Sequence, residues 1–391
     1  MNPAARPLLL VAALFAPLGV IAPKGLVPLL LIAAIWQFGL CCQAGHWRRP
    51  FEGMDGIFAG LIGAWALLSA LWSLDALAAV TTFAKLAMVL LATLVMLDGT
   101  RRLAGRDKPL LIQVLLTAFA AATVLLGFET LTGAAGHKWL VWRNPDEYTL
   151  TVLNRAGAIL LLASWPAALI LWRLGRRYLA GLAIIMAMAV VCLGVSSSNK
   201  AAVLLSLAGA ALAWFLRHRF PRPLALALAA GIMVAPVLPT GLLAPDRLAG
   251  YFDETQYSAL HRLHIWYFAA VRITDKPIIG WGLDASRRIP GGDTKLPRGG
   301  HVMGVHPHNA SLQIWLELGA VGAFLAALLI AGLCLRLGVV SGRAGQAAGA
   351  GLMLSAMVIA NLSFGIWQTW WMASLALSGI MFALALRLSG K

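Results

Sequence analysis

The chain has 391 residues, of which 60% are hydrophobic and only 12% are charged. Soluble proteins carry roughly 25% charged residues, so the composition excludes an ordinary soluble domain and indicates repeated membrane spans. The net charge of +16 comes mostly from Lys and Arg in short segments between apolar runs, which indicates membrane topology rather than nucleic-acid binding.

Apolar runs of about 20 residues recur along the chain and predict an all-α polytopic membrane protein with about twelve transmembrane helices. The N-terminal run RPLLLVAALFAPLGVIAP lacks a small-x-small cleavage site, so we expect it to be the first span rather than a signal peptide. The predicted spans cover residues 7–22, 26–44, 55–73, 76–97, 109–131, 150–172, 178–195, 200–216, 223–243, 309–335, 346–363 and 368–387.

One connection is long and polar. Residues 244–308 are rich in Gly, Pro, Arg and Asp, so we predict spans one to nine in 1–243, a loop domain with short helices in 244–308, and spans ten to twelve in 309–391. Lys and Arg concentrate in alternate loops. The opposite short loops hold only three basic residues besides Lys200, namely Lys24, Lys138 and Arg143. The positive-inside rule then predicts cytoplasmic termini and a long loop that faces the periplasm of a bacterial inner membrane.

Three basic residues are not explained by topology. Lys85, Arg155 and Lys200 lie within or at the outer ends of predicted spans, where a cation costs roughly 2.5–3.5 kcal/mol without a partner. Glu317 is the one carboxylate clearly inside a span, so an anionic ligand such as a phosphate or pyrophosphate is expected to supply the missing charge. The alternatives are snorkelling of Arg155 and Lys200 to the interface, and an ion pair between Lys85 and Glu317.

The long loop contains a predicted helix, YSALHRLHIWYFAAVRI, at residues 257–273. Arg262 and Trp266 are one turn apart and share a face of this helix. A surface helix that carries Arg over a membrane cavity is suited to bind phosphate, because guanidinium donates two parallel hydrogen bonds. The alternative is an ordinary solvated arginine.

The stretch GVHPHNASLQIWLELGAVG carries His306 and His308 at the start of span ten. If His308 is helical, Gly319 and Gly322 lie at about 20° and about −40° from it, which predicts a smooth glycine face for a lipid chain or a neighbouring helix. Alternatively, Asn309 caps the helix and His308 ends the loop. The histidines fit a metal site, a structural loop or a general base. No Asp or Glu stands at ligand-like spacing, which disfavours the metal.

A family resemblance follows from these residues. His308-Asn309, nine residues, Gly319, two residues and Gly322 are similar to the H-[NSQ]-x9-G-x-x-[GTY] pattern of bacterial O-antigen ligases. RLHIW (262–266), PIIGWG and the His-Asn helix resemble the core of the O-antigen ligase and polymerase superfamily, over residues 245–325. The resemblance implies a GT-C type glycosyltransferase that moves O-antigen polysaccharide from undecaprenyl pyrophosphate to the lipid A-core oligosaccharide, without nucleotide sugar, ATP, metal or other cofactor. Many relatives carry Arg near Lys200, which puts the role of Lys200 in doubt.

The resemblance and the cations together predict the site. The predicted catalytic residues are His308, as base, and Arg262; the predicted pyrophosphate-binding residues are Arg155, Lys200, Lys85 and Arg288; the predicted supporting residues are His306, Asn309, Trp266, Gly319 and Gly322. An O-antigen polymerase or a protein O-oligosaccharyltransferase shares the donor and differs in acceptor. A transporter of lipid-linked glycans remains an alternative from another class.

Overall fold

A computed structural model describes residues 2–51, 54–141, 150–251, 257–296 and 300–388, so Arg143 lies outside it. Within those ranges the regular structure is helical, with one isolated bridge between Lys295 and His301. The helices are α1 (Ala5–Ile21), α2 (Leu26–Gln43), α3 (Met54–Leu68), α4 (Ala76–Arg101), α5 (Lys108–Leu131), α6 (Ala135–Val141), α7 (Asn154–Arg173), α8 (Arg177–Leu193), α9 (Ser197–Leu216), α10 (Pro221–Val234), α11 (Val237–Thr240), α12 (Pro245–Leu248), α13 (Tyr257–Asp275), α14 (Ala310–Leu337), α15 (Arg343–Leu362) and α16 (Thr369–Leu388).

The long helices have the composition of membrane spans. Among the described residues, α2, α4, α5, α7, α9, α14, α15 and α16 are long and apolar enough to cross a membrane, and α1, α3, α8 and α10 contain shorter apolar helices. These twelve match the twelve predicted spans in order. The prediction of an all-α polytopic membrane protein is therefore confirmed.

Helix α7 lies at the centre of the main bundle. Nearly all of its residues from Ala156 to Leu171 are buried, and it packs against α1, α5, α8, α15 and α16. The outer helices instead leave large apolar side chains such as Leu77, Val124 and Phe215 exposed. Burial of an apolar helix on every side marks a core position, whereas exposed Leu, Val and Phe suit contact with lipid.

The ninth predicted span is shorter than expected. Helix α10 ends at Val234 rather than near residue 243, and a single turn, α11, follows it. Pro236 and Pro239 explain the difference, because proline lacks the N–H that would continue the helix and its ring clashes with the preceding turn. The surface helix predicted at 257–273 is present as α13 and runs on to Asp275.

One end of the bundle gathers the segments that form the site, and we call it the loop end. There Arg262 of α13 contacts the start of α9, and His308, just before α14, contacts the connection between α15 and α16. A hydrogen bond from Ser73 Oγ to the Leu283 carbonyl oxygen joins the start of the α4 region to the same loop. Residues far apart in sequence are therefore brought together at one face.

Candidate active site

Helix α14 is interrupted at Gly319, whose backbone adopts φ 65° and ψ −165°. The segment from Pro277 to Gly282 lies against the interruption. The amides of Trp281 and Gly282 donate to the carbonyls of residues 316 and 317 at 2.9 and 2.8 Å, and the amides of residues 320 and 321 donate back to Pro277 and residue 278 at 2.8 and 3.3 Å. These exchanges satisfy backbone groups that a broken helix would leave unpaired.

The predicted glycine face of span ten is wrong. His308 precedes the helix, and Asn309 is its N-cap, with a side-chain oxygen that accepts from the amide of Leu312 at 3.0 Å. A Cβ on Gly319 would overlap the carbonyl oxygen of Ile278, and one on Gly322 would overlap the Leu318 side chain. The glycines permit the interruption and the close approach of the loop; they do not present a surface to a lipid.

Glu317 holds the interruption and two loops together. This fully buried carboxylate accepts hydrogen bonds from the amide of Asp284 at 2.5 Å, from Gln313 at 3.0 Å, from the Trp367 indole at 2.6 Å, and from the hydroxyl of Ser286. The alternative ion pair between Lys85 and Glu317 is absent from the described structure, where four neutral donors occupy the carboxylate. Glu317 thus links the 284–286 turn to the loop before α16.

His308 has one ring nitrogen committed and the other available. Its Nδ1 lies 2.6 Å from the backbone carbonyl oxygen of Ser363. A carbonyl oxygen only accepts, so Nδ1 carries the proton, and the neutral ring keeps a lone pair on Nε2. Burial lowers the pKa of His308 below its usual 6.5, Arg262 and His261 lower it further, and the Ser363 carbonyl opposes them. His308 is therefore neutral at neutral pH and suited to accept a proton.

The backbone at His308 is unusual for a non-glycine residue, with φ at 55°. Its amide donates to Nδ1 of His306 at 3.2 Å, and the two imidazole rings are 4.3 Å apart between centroids. His306 is buried, and Gly365 lies beneath it, where a Cβ would come within 2.7 Å of the ring. Burial, with smaller effects of His308 and Arg287, lowers the pKa of His306 to about 3. His306 is thus a neutral neighbour that helps to hold the turn of His308.

Arg262 extends from α13 to the start of α9. Its Nη1 donates to the Ser198 hydroxyl at 3.3 Å, and that hydroxyl donates to the carbonyl of Leu362 at 2.8 Å. Leu362 is next to Ser363, whose carbonyl binds His308. The guanidinium, through the Ser198 hydroxyl, and the imidazole, directly, are therefore hydrogen-bonded to neighbouring backbone carbonyls. Burial lowers the pKa of Arg262 below its usual value. Arginine remains charged even so, and here it is a partly desolvated cation.

Arg155 belongs to the same group of residues. Asn199, beside Ser198, donates to the carbonyl of Asn154 at 2.9 Å, which fixes the start of α7 against α9. The Arg155 guanidinium lies 5.2 Å from the ring centroid of Trp370. In the described part of the chain, neither Arg155 nor Arg262 has a carboxylate within ion-pair distance. Two cations that have no carboxylate partner among the described residues therefore lie at the loop end.

The structure does not bring the other predicted cations into this group. Lys200 is exposed near the start of α9, and its ammonium has no ion pair with a described residue. Arg288 is paired with Asp75, whose carboxylate lies 2.7 Å away. Lys85 is exposed and lines a separate cavity.

That cavity, the polar cavity, has a volume of about 170 Å³. Arg287, which sequence analysis missed, lies in it with Lys85, and His306 also contributes to its wall. The full lining is Thr82, Lys85, Asp284, Arg287, Val305, His306, Gln313, Gly365, Trp367, Gln368 and Thr369.

An apolar groove of about 370 Å³ starts at the loop end and lies between α9, α10, α14 and α15. Trp266 stands at its polar end, where its indole donates to the carbonyl of Pro307 at 2.9 Å. The other polar groups there are Asn309, Ser311 and Asn361, and the apolar lining includes Leu205, Leu228, Ile232, Leu354, Met357 and Val358. A groove that is apolar along its length and polar at one end suits an amphiphile with a long hydrocarbon chain.

Comparison with known proteins finds one matching family model and several similar sequences. Residues 192–327 match the family model described as O-antigen ligase. The chain is also similar to proteins named "putative polysaccharide ligase": it is 29% identical to one from Rickettsia prowazekii over 88% of this chain and 84% of the relative. A Rickettsia conorii protein is 27% identical over 80% and 75%, and a Rickettsia felis protein is 29% identical over 80% and 76%.

The chain is therefore similar to the O-antigen ligase family over residues 192–327. The matched segment holds Arg262, His308 and Gly319, the residues that carried the resemblance. Ser363, which orients His308, and Arg155 lie outside it. Ser198, Gln313 and the Ser363 carbonyl were not predicted, because serine, glutamine and backbone oxygens give no distinctive sequence signal. Glu317 was noticed as a carboxylate inside a span, but its partners are neutral donors rather than a lysine.

Proposed function

We propose that this chain is an O-antigen ligase that transfers O-antigen polysaccharide from undecaprenyl pyrophosphate to the lipid A-core oligosaccharide. The reaction would take place at the periplasmic leaflet of a bacterial inner membrane, with both termini in the cytoplasm. The observation that carries the proposal is His308: its Nδ1 is bound to the Ser363 carbonyl, its Nε2 remains available, and Arg262 is attached to the adjacent backbone.

The donor fits the loop end in two parts. The polyprenyl chain would occupy the apolar groove, whose apolar lining can replace the lipid tails that surround the chain in the bilayer. The pyrophosphate would then lie near Arg262 and Arg155, neither of which has a carboxylate partner among the described residues. Charge-assisted hydrogen bonds from guanidinium strengthen as negative charge grows on the leaving oxygen, which lowers the barrier to bond cleavage.

The reaction is a single displacement. The acceptor hydroxyl oxygen attacks the anomeric carbon, and its proton passes to Nε2 of His308. The bond between the anomeric carbon and the phosphate oxygen breaks, and its electron pair leaves with undecaprenyl pyrophosphate. Attack opposite the leaving group inverts the configuration at the anomeric carbon. A neutral imidazole at neutral pH is matched to this step.

The test is transfer by the purified protein in lipid nanodiscs, with an undecaprenyl-pyrophosphate-linked O-antigen donor and lipid A-core acceptor. We expect His308→Gln to lower the rate by at least about 100-fold, the usual contribution of a general base. His218→Gln is the matched control, because His218 is exposed at the other end of α9. Full transfer by His308→Gln would contradict the mechanism. Transfer to lipid-linked chains or to a protein in place of lipid A-core would indicate a polymerase or an oligosaccharyltransferase.

A further inference from the structure

The polar cavity is not used by the donor as proposed above. Neither Arg155 nor Arg262 lines it, and it shares no lining residue with the apolar groove. His306 lines it, and the ring of His306 is 4.3 Å from that of His308 between centroids. The cavity is therefore a second space beside the same histidine pair.

The charged groups of the polar cavity favour an anion. Lys85 has no ion pair with a described residue, whereas Arg287 is 3.7 Å from the Asp284 carboxylate. That carboxylate also accepts from the Thr82 hydroxyl at 2.9 Å. Two cations face one carboxylate, and His306 is neutral because its pKa is about 3. The side chains that line the cavity therefore carry one net positive charge, and the Glu317 carboxylate behind Gln313 and Trp367 is occupied by neutral donors.

The neutral groups of the cavity favour a sugar. Gln368 Nε2 lies 3.0 Å from His306 Nε2, Thr369 also lines the cavity, and Gln313, which is bonded to Glu317 and to the Ile366 amide, keeps one N–H and one lone pair for a ligand. Trp367 adds an indole ring, whose apolar face suits the C–H groups of a pyranose. Closely spaced donors and acceptors beside an aromatic ring match a polyhydroxylated ligand better than a hydrocarbon or a bare ion. A volume of about 170 Å³ is on the scale of one sugar ring.

We infer that the polar cavity binds an anionic sugar of the acceptor, one that carries a phosphate or a carboxylate, and holds the neighbouring hydroxyl towards His308. This inference rests on the proposed function. An inverting displacement requires the acceptor to approach from the side opposite the pyrophosphate, and the polar cavity is the polar space that adjoins the histidines without including Arg262. Lys85 and Arg287 are then specificity-determining residues for the acceptor.

The first experiment measures binding without catalysis. Glucose 6-phosphate, glucuronate, glucose and inorganic phosphate are titrated into the wild-type protein in nanodiscs, with and without saturating undecaprenyl pyrophosphate, by saturation-transfer NMR. We expect both anionic sugars to bind about tenfold more tightly than glucose or inorganic phosphate, and to remain bound in the presence of undecaprenyl pyrophosphate. Displacement by undecaprenyl pyrophosphate would assign the cavity to the donor and overturn the inference, as would equal binding of all four probes.

The second experiment separates the two substrates kinetically. Lys85→Gln and Arg287→Gln are expected to raise KM for lipid A-core by about tenfold or more, the loss expected for one charge-assisted hydrogen bond, and to leave KM for the donor within about twofold. Lys24→Gln, at an exposed lysine that does not line the cavity, is the control. A rise in donor KM, or no change in either KM, would contradict the inference. If the wild type transfers nothing to lipid A-core, the proposed function fails, and the binding experiment still decides what the cavity holds.

Discussion

Gly319→Ala is the substitution that tests the interruption of α14 most directly. The backbone at Gly319, with φ 65° and ψ −165°, lies in a region that is essentially restricted to glycine, and forcing another residue into it costs about 1–3 kcal/mol. The new Cβ would also overlap the carbonyl oxygen of Ile278. Relief of that overlap separates the two chains and breaks the hydrogen bonds from the amides of Ala320 and Val321, each worth about 0.5–1.5 kcal/mol. The expected loss of stability is therefore about 2–6 kcal/mol.

The assay is thermal unfolding of the purified protein in detergent, followed by tryptophan fluorescence at one fixed scan rate, because membrane proteins often unfold irreversibly. Gly332→Ala is the matched control: Gly332 lies in the same helix, and a Cβ there meets no atom within 4 Å. We expect Gly319→Ala to melt at least several degrees below both the wild type and Gly332→Ala. Equal melting temperatures for the three proteins would refute the view that the interruption requires glycine.

Three further predictions concern the site. Gly231 lines the apolar groove, and a Cβ at this position meets no atom within 4 Å. Gly231→Phe should fill part of the groove and raise the donor KM severalfold. Gly181→Phe on α8 is the control, because its Cβ position is also open but lies outside the groove, and it should leave the donor KM unchanged. Burial and Arg262 both lower the pKa of His308, so the wild-type rate should fall in acid only below pH 6.5. Arg262→Gln should raise this pKa and move the acid limb of the single-turnover rate to higher pH. An acid limb that does not move would show that Arg262 does not influence the protonation of His308. Asn309→Ala removes the N-cap of α14 and should lower stability by about 1 kcal/mol in chemical unfolding, and Asn309→Ser should restore most of it because Ser also caps.

Several features follow from local sequence and were predicted correctly. The order of the apolar segments depends on composition alone, because about 20 apolar residues suffice to cross a bilayer as a helix. The surface helix around Arg262 and the cap at Asn309 are likewise local, since each depends on residues within a few positions. The spacing of His308, Gly319 and the residues between them was sufficient to indicate the family.

The tertiary structure decided which side chains meet. The spacing of Gly319 from His308 suggested a smooth helix face. In the structure the loop at residues 277–282 is hydrogen-bonded to the backbone around Gly319, where the helix is interrupted. Ser363 fixes the tautomer of His308 through a backbone oxygen, which no residue type reveals. The sequence grouped Lys85, Arg155 and Lys200 as cations that topology does not explain. In the structure Lys85 lines the polar cavity, Arg155 lies near the Trp370 ring, and Lys200 is exposed at the start of α9. Sequence determines where a charge enters the membrane, whereas the packing of the other helices determines what that charge faces.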